Sequence, residues 1–172
     1  VMTLIEIVLL VLGGMPLFDS CIHAFGSAGT GGFSNKNLSV GAYDSTYFDV
    51  VIGIFMLLFG VNFNLYYFLL VRRFRDVFRS EELWAYAAIV GAAVLAIATD
   101  ILHMYESFGQ SLRYSFFQVA SIITTTGYAT ADFNLWPTFS KGILVVLMFI
   151  GACAGSTGGG IKVARIVILA KT

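Results

Sequence analysis

Two glycine- and threonine-bearing runs stand out for the chemistry their backbones offer. The first is Gly29-Thr30-Gly31-Gly32-Phe33-Ser34 and the second is Ile123-Thr124-Thr125-Thr126-Gly127-Tyr128. A Thr-Gly-aromatic strand can turn its carbonyls toward a common axis, where they replace the water around a dehydrated cation. Glycine supplies backbone angles closed to other residues. Each run follows a short stretch of helical character, Asp19 to Gly26 and Tyr114 to Ser121. The partially negative C-terminal end of such a helix favours a cation beside it. A third run, Gly155-Ser156-Thr157-Gly158-Gly159-Gly160, lies inside an apolar stretch and is followed by Ile161 and Lys162. Each glycine costs roughly 1 kcal/mol relative to alanine in a helix, so a helix is predicted to break there.

The composition decides the solvent in which these runs must be held. The chain has 172 residues, 58% hydrophobic, 15% aromatic and 12% charged, with a mean hydropathy of +0.86. A water-facing globule carries about a quarter charged residues, so this chain reads as an integral membrane protein. Ten basic and ten acidic residues cancel, which excludes a basic nucleic-acid surface. The aromatic content excludes disorder. Cys21 and Cys153 match neither a disulfide framework nor a zinc-ligand spacing.

Thr46 to Val71, Leu83 to Thr99 and Gly142 to Ile161 are long and apolar enough to be read as crossing segments. Val1 to Leu12 is a fourth apolar stretch. It lacks the basic n-region and cleavage site of a signal peptide, and the expectation is a chain that begins partway through a helix of a longer protein. Arg72, Arg73, Arg75 and Arg79, with Lys162, Arg165 and Lys171, outweigh Lys36, Arg113 and Lys141. That asymmetry places the Arg72–Arg79 turn and the C-terminal end in the cytoplasm. Pro16 to Phe33 and Gln110 to Tyr128 are then too short to cross and must re-enter from the outer face. Backbone at that depth is tolerated only in protein or beside water.

The two re-entrant segments match at an offset of 96 residues, which lays Thr30-Gly31 on Thr126-Gly127, Ala24 on Ala120 and Ser34 on Thr130. The chain thus reads as an all-α membrane protein made of repeated units, each a span, a pore helix, a filter-like strand and a span. Unit one covers residues 1–75: a truncated first helix, a pore helix over 16–26, a filter over 27–33 and a second helix over 46–71. Unit two covers 76–172: a first helix over 83–105, a pore helix over 111–123, a filter over 124–128 and a second helix over 138–170 broken at 155–160. The same offset lays Asn62 and Asn64 on Gly158 and Gly160, and polar residues at one level suggest a hydrated passage. The broken run, Gly155, Ser156, Thr157, Gly158, Gly159 and Gly160, would then act as a gate below the filter. The alternative is close packing of small residues between helices. Lys162 reads either as an electrostatic barrier or as a side chain snorkelling to the interface. Asp132 reads either as a cation attractor at the outer mouth or as a turn cap, and Arg113 as an inter-segment anchor. Trp84, Tyr105 and Trp136 suit the interfacial aromatic belt.

Other function classes fit less well. The glycine run lacks the adjacent Gly-Lys-Ser/Thr of a phosphate-binding loop. An intramembrane serine hydrolase would need Ser156 beside His23 or His103, but the topology puts His103 near the outer face and Ser156 in the inner half, and His23 is expected on a short helix packed against its neighbours. A secondary transporter with discontinuous helices usually has inverted repeats, whereas this duplication is parallel. The reading is a pore and not an enzyme.

The three runs, taken with Ala129-Thr130-Ala131-Asp132-Phe133 and Gly151-Ala152-Cys153-Ala154, strongly resemble the Trk/Ktr/HKT superfamily of potassium uptake proteins, TrkH type. The resemblance extends over nearly the whole chain. It implies four pore repeats in one polypeptide around a central pore, each like a subunit of a simple potassium channel, of which this chain holds two. It further implies potassium uptake across the bacterial cytoplasmic (inner) membrane by a multi-pass protein of a cation-channel and symporter family. K+ is the transported ion and no covalent cofactor is needed. The implied partners are the remaining pore repeats, the lipid bilayer, a second complete subunit in a homodimer, and a cytosolic nucleotide-binding regulatory subunit of the TrkA/KtrA kind. Carried over by position, the selectivity-filter residues are Gly29, Thr30, Gly31 and Gly32, and Thr125, Thr126, Gly127 and Tyr128, with K+ at Thr30, Gly31, Thr126 and Gly127. Gly31 and Gly127 would be the filter glycines, and Gly155 to Gly160 with Lys162 the gate loop.

Overall fold

A computed structural model describes residues 1–171. Among them nine α-helices form: α1 (Met2–Leu12), α2 (Leu17–Ala28), α3 (Thr46–Phe59), α4 (Phe63–Leu70), α5 (Phe74–Phe78), α6 (Glu81–Asp100), α7 (Phe108–Ile123), α8 (Thr138–Phe149) and α9 (Val163–Lys171). The fold is all-α; one isolated bridge, Ile150 with Ile161, is its only β-type pairing among the described residues.

Local sequence explains the helix limits. Ser80 caps α6 by accepting from the Leu83 amide at 3.4 Å, and Glu81 and Glu82 occupy its first turn, where the positive end of the helix favours acids. α6, at 20 residues, is long and apolar enough by itself to cross a bilayer. Ser107 caps α7 by accepting from the Gln110 amide at 3.3 Å. α2 and α7, at 12 and 16 residues, fall short of the roughly 20 that a crossing needs.

Three sequence expectations are corrected. The run 46–71, read as one crossing helix, is two helices, α3 and α4, meeting at 91°. Gly60 lies where a larger residue would collide with the Tyr86 hydroxyl, and the Gly60 carbonyl accepts from the Cys153 amide at 3.0 Å instead of continuing the helix. Asn62 restarts the chain, its Oδ1 accepting from the Asn64 amide at 3.0 Å. The helix expected over 83–105 ends at Asp100 and gives way to a 3-10 turn, Leu102–Met104. The break expected at 155–160 is wider: α8 stops at Phe149 and α9 starts at Val163. Trp136 is buried at 2% exposure, its Nε1 donating to the Tyr105 hydroxyl at 3.2 Å.

The core has two parts joined by α7. Phe117 and Ala120 of α7 pack with Leu10, Phe48, Ile52 and Met56, while Val119 and Ile123 pack with Val90, Ile97, Leu144 and Ala152. Two adjacent faces of one helix thus join the two halves. Arg113 adds a polar clasp: its Nε donates to Asp49 Oδ2 at 2.6 Å and its Nη1 to Thr46 Oγ1 at 2.8 Å, tying α7 to the start of α3. Outside the core many large apolar side chains are exposed, among them Leu4, Val8, Phe25, Phe33, Leu95 and Phe149.

Candidate functional site

α2 and α7 end in the same way, and that ending builds the site. In α2 the Thr30 amide donates to Ser27 O at 3.3 Å and the Gly31 amide to Gly26 O at 2.9 Å; in α7 the Thr125 amide donates to Ile122 O at 3.0 Å and the Thr126 amide to Ser121 O at 2.9 Å. This paired closure satisfies the last carbonyls of a helix and needs a left-handed residue at its apex, normally glycine. Here the apex is Thr30 (φ 49°) in one loop and Thr125 (φ 57°) in the other. A β-branched residue with positive φ is a genuine outlier, and such strain persists only where the surroundings enforce it.

The shared closure also sets the register between the halves. Thr30 answers to Thr125, Gly31 to Thr126, Gly32 to Gly127 and Phe33 to Tyr128. Phe33 and Tyr128 are 95 residues apart, so the structural offset is 95, not the 96 read from residue identities. Gly32 (φ 64°) and Gly127 (φ 90°) share the left-handed conformation, whereas Gly31 does not. The counterpart of Gly127 is therefore Gly32.

The two loops touch. A Cβ on Gly32 would land on the Thr126 carbonyl oxygen. Tyr128, fully buried, reaches behind the first loop, where its hydroxyl lies 3.1 Å from His23 O and 3.2 Å from Phe33 O. Gly26 leaves room for that hydroxyl, since a Cβ there would strike it. Within the second loop the Ser121 hydroxyl donates to Tyr128 O at 2.6 Å, and Thr124 Oγ1 and Thr126 Oγ1 are 2.8 Å apart. Gly29, Gly31 and Gly127 are exposed, while Thr126 and Tyr128 are buried. Side chains thus anchor the loops and leave glycine backbone open. Carbonyls in such open backbone, at the negative ends of two helices, suit a cation.

The glycine-rich segment lies against the same loops. Its base is closed by the Gly151 amide donating to Ile161 O at 2.9 Å. Its tip meets the two strained threonines: Thr30 Oγ1 donates to Thr157 O at 3.2 Å, and the Gly159 amide donates to Thr125 Oγ1 at 2.8 Å. Gly158 lies under Thr124, whose carbonyl would be 3.2 Å from an added Cβ. Lys162 donates through Nζ to Gly158 O. The Ser156 hydroxyl donates to Cys153 O at 2.6 Å, and Gly155 packs on Asn62, with the Phe63 amide donating to Gly155 O at 3.2 Å. Glu82 accepts from the Ala154 amide at 2.5 Å.

Some residues are not brought together. His23 Nδ1 lies 2.7 Å from Asp19 O and its Nε2 3.1 Å from Ser34 Oγ, so neither ring nitrogen serves Ser156; His103 is exposed in the 3-10 turn after α6. Asp132 caps its own turn, accepting from the Asn134 amide at 3.0 Å. Identity matching missed two participants. Asp19 binds Asn35 and Tyr43, each at 2.5 Å, holding the segment after the first loop onto α2. Burial, then the Asp19 bond, pushes the Tyr43 phenol above its usual range. Glu6 on α1 is fully buried; its place in an apolar stretch was the available signal.

Comparison with known proteins gives concordant matches. The family model TrkH, described as cation transport protein, matches residues 80–172. The Trk system potassium uptake protein TrkH of Salmonella typhimurium is 40% identical over 161 residues, 92% of this chain and 33% of that protein. The Trk system potassium uptake protein TrkG of Escherichia coli is 37% identical over 163 residues, 93% of this chain and 33% of that one. The crystal structure of the potassium transporter TrkH from Vibrio parahaemolyticus superposes with a TM-score of 0.90 at 34% identity, over 98% of this chain and 37% of that one. The chain spans about a third of the length of the curated relatives it matches.

Proposed function

Because the chain belongs to the TrkH family of cation transport proteins, we propose that it supplies two of the four repeats of a potassium-uptake pore, residues 1–75 and 76–172. Gly29 to Gly32 and Thr125 to Tyr128 line the filter, with K+ held by carbonyls at Thr30 to Gly32 and at Thr126 and Gly127. The segment Gly155 to Gly160 with Lys162 is the gate, occupying the passage below the filter when closed. The whole subunit sits in the bacterial cytoplasmic membrane as a multi-pass protein, pairs as a homodimer and answers to a cytosolic nucleotide-binding subunit of the TrkA/KtrA kind. The filter strands are shorter than a full potassium-channel signature, so discrimination of K+ from Na+ is looser than in a strict channel.

One observation carries this reading: two helices too short to cross a bilayer end in matched closures that present open glycine backbone to each other, with a glycine-rich segment hydrogen-bonded to both apex threonines. The hydrolase alternative has no support, given a transport family and a Ser156 hydroxyl bonded to Cys153 O. The test is potassium-limited growth and rubidium uptake of an uptake-deficient bacterium carrying the full-length protein, with and without Gly127→Ser. Growth lost with Gly127→Ser is expected; wild-type growth and flux with that variant would overturn the reading.

A further inference from the structure

Four arginines, Arg72, Arg73, Arg75 and Arg79, crowd into a short stretch that neither the filter loops nor the glycine-rich segment uses. They flank α5 and immediately precede α6. α6 is long and apolar enough by itself to cross a bilayer, so its start at Glu81 sets the cluster at the level of a membrane surface. Trp84, in the first turn of α6, ties α5 to that end: its Nε1 donates to Phe78 O at 2.9 Å while its side chain stays 61% exposed.

The turn that presents these arginines is ordered by its own hydrogen bonds. α4 closes with the Arg72 amide donating to Leu69 O at 3.1 Å and the Arg73 amide to Phe68 O at 2.8 Å, the same paired closure that ends α2 and α7. Its left-handed apex is Arg72 (φ 59°), where glycine is the usual residue. Arg73 is committed within the chain, with its Nε 2.7 Å from Asp76 Oδ2 and its guanidinium 5.6 Å from the Phe68 ring centre. Arg72, Arg75 and Arg79 are exposed, and their guanidinium groups have no ion pair or hydrogen bond among the described residues. The acids close in sequence are already engaged: Asp76 by Arg73, Glu81 by Lys171 and Glu82 by the Ala154 amide.

Apolar side chains interleave with these charges. Leu70, Val71, Phe74, Phe78 and Trp84 are each more than half exposed. Phe74 and Phe78 stand four residues apart on one face of α5, and Arg75 and Arg79 repeat that spacing on the next. Water does not reward the exposed rings, and lipid tails do not reward the guanidinium groups. The boundary between acyl chains and headgroups rewards both. The planar fork of arginine matches the paired oxygens of a phosphate, which gives the charges a partner of complementary sign and shape.

We propose that Arg72, Arg75 and Arg79 bind the headgroup phosphate of an anionic phospholipid in the cytoplasmic leaflet, with Phe74, Phe78 and Trp84 set among its acyl chains. The site lies apart from the ion path and anchors the junction of α5 with α6 at the membrane surface. The inference rests on the cytoplasmic orientation of the Arg72–Arg79 turn and goes beyond the pore reading.

The test uses the full-length protein in detergent, titrated with phosphatidylglycerol and with phosphatidylethanolamine of the same acyl chains, with bound lipid counted by native mass spectrometry. An arginine near an anionic surface contributes roughly fivefold in affinity, so wild type should prefer phosphatidylglycerol by at least about tenfold. Arg72→Gln, Arg75→Gln and Arg79→Gln combined should bring the two lipids to within about twofold, whereas Arg72→Lys, Arg75→Lys and Arg79→Lys combined should keep most of the preference. Thermal unfolding in vesicles of phosphatidylethanolamine alone should be the same for wild type and the glutamine variant, showing that the variant folds. Replacing about a quarter of that lipid with phosphatidylglycerol should raise the unfolding midpoint of wild type and leave the variant unmoved. A preference that survives in the glutamine variant overturns the site. So does displacement of the lipid by inorganic phosphate at equal concentration, which would assign the arginines to a soluble anion. Equal lipid affinities in wild type, with a cytosolic nucleotide-binding subunit lost only from the glutamine variant, would assign them to a protein instead. None of these measurements involves ion flux, so a failure of rubidium uptake would touch the pore reading alone.

Discussion

The two halves of the chain interrupt their second long helix at neighbouring levels but by different means. In the first half the interruption is short: α3 ends at Phe59, Asn62 caps α4, and the helix turns through 91°. In the second half α8 gives way to a loop that runs from Ile150 to Lys162, is pinned at its base by the Gly151–Ile161 bond, and reaches the apex threonines that close α2 and α7. The interruptions also serve each other, since Gly60 O takes the Cys153 amide at 3.0 Å and Gly155 O takes the Phe63 amide at 3.2 Å. A bend only redirects a helix; a glycine-rich loop instead extends to the ends of α2 and α7. The difference is one of side chains. Five glycines let backbone approach backbone, as where Gly151 and Gly160 lie too close for a Cβ on either, whereas a single glycine with an asparagine cap only turns the chain.

The sharpest way to break this picture is in the first loop. Gly32→Ala forces a Cβ onto the Thr126 carbonyl at positive φ, and backbone strain of this kind costs roughly 1–3 kcal/mol. Thermal unfolding in detergent should show that loss together with abolished rubidium uptake. Gly31→Ala, which meets only the edge of Phe33 at 3.1 Å, should be far milder. The reverse order would restore the 96-residue register and remove the equivalence of Gly32 with Gly127.

Next in size is the contact between the two kinds of loop. Thr125→Gly keeps the left-handed backbone but deletes the hydroxyl that accepts the Gly159 amide. A hydrogen bond worth about 1 kcal/mol corresponds to roughly fivefold in the population of the released loop. Basal rubidium leak should rise by that order, and unchanged leak would separate the loop from gating. Asn62→Ala removes the cap of α4 and should cost about 1 kcal/mol in thermal stability, with a smaller effect on leak. A leak as large as that of Thr125→Gly would mean that the bend, too, controls the passage. Smallest is Gly91→Ala in α6, where an added Cβ meets nothing within 4 Å. It should stabilise by roughly 0.5–1 kcal/mol, leaving flux alone, and a loss would show that α6 meets another part of the subunit there.

Much of this was written in residue order. An apolar chain with few charges had to be a membrane protein, and two helical stretches, each ending in glycine and threonine, had to be too short to cross. The glycine run had to interrupt a helix, because its residues lack the propensity to continue one. Identity matching could not decide register. Thr-Gly occurs in both loops one position out of step with the backbone, and only the closing hydrogen bonds of α2 and α7 reveal which residues carry positive φ. Nor could it decide the bend at Gly60. The stretch is uncharged beyond Asp49, and the helix ends there because Tyr86 and Cys153, distant in sequence, claim the space and the carbonyl. Composition thus determined that the chain is a membrane protein, since transfer from water depends on each side chain alone. Tertiary structure decided which backbone groups meet across the site, because a left-handed threonine, a buried acid and a glycine-rich loop bonded to two helix ends exist only where distant segments hold them.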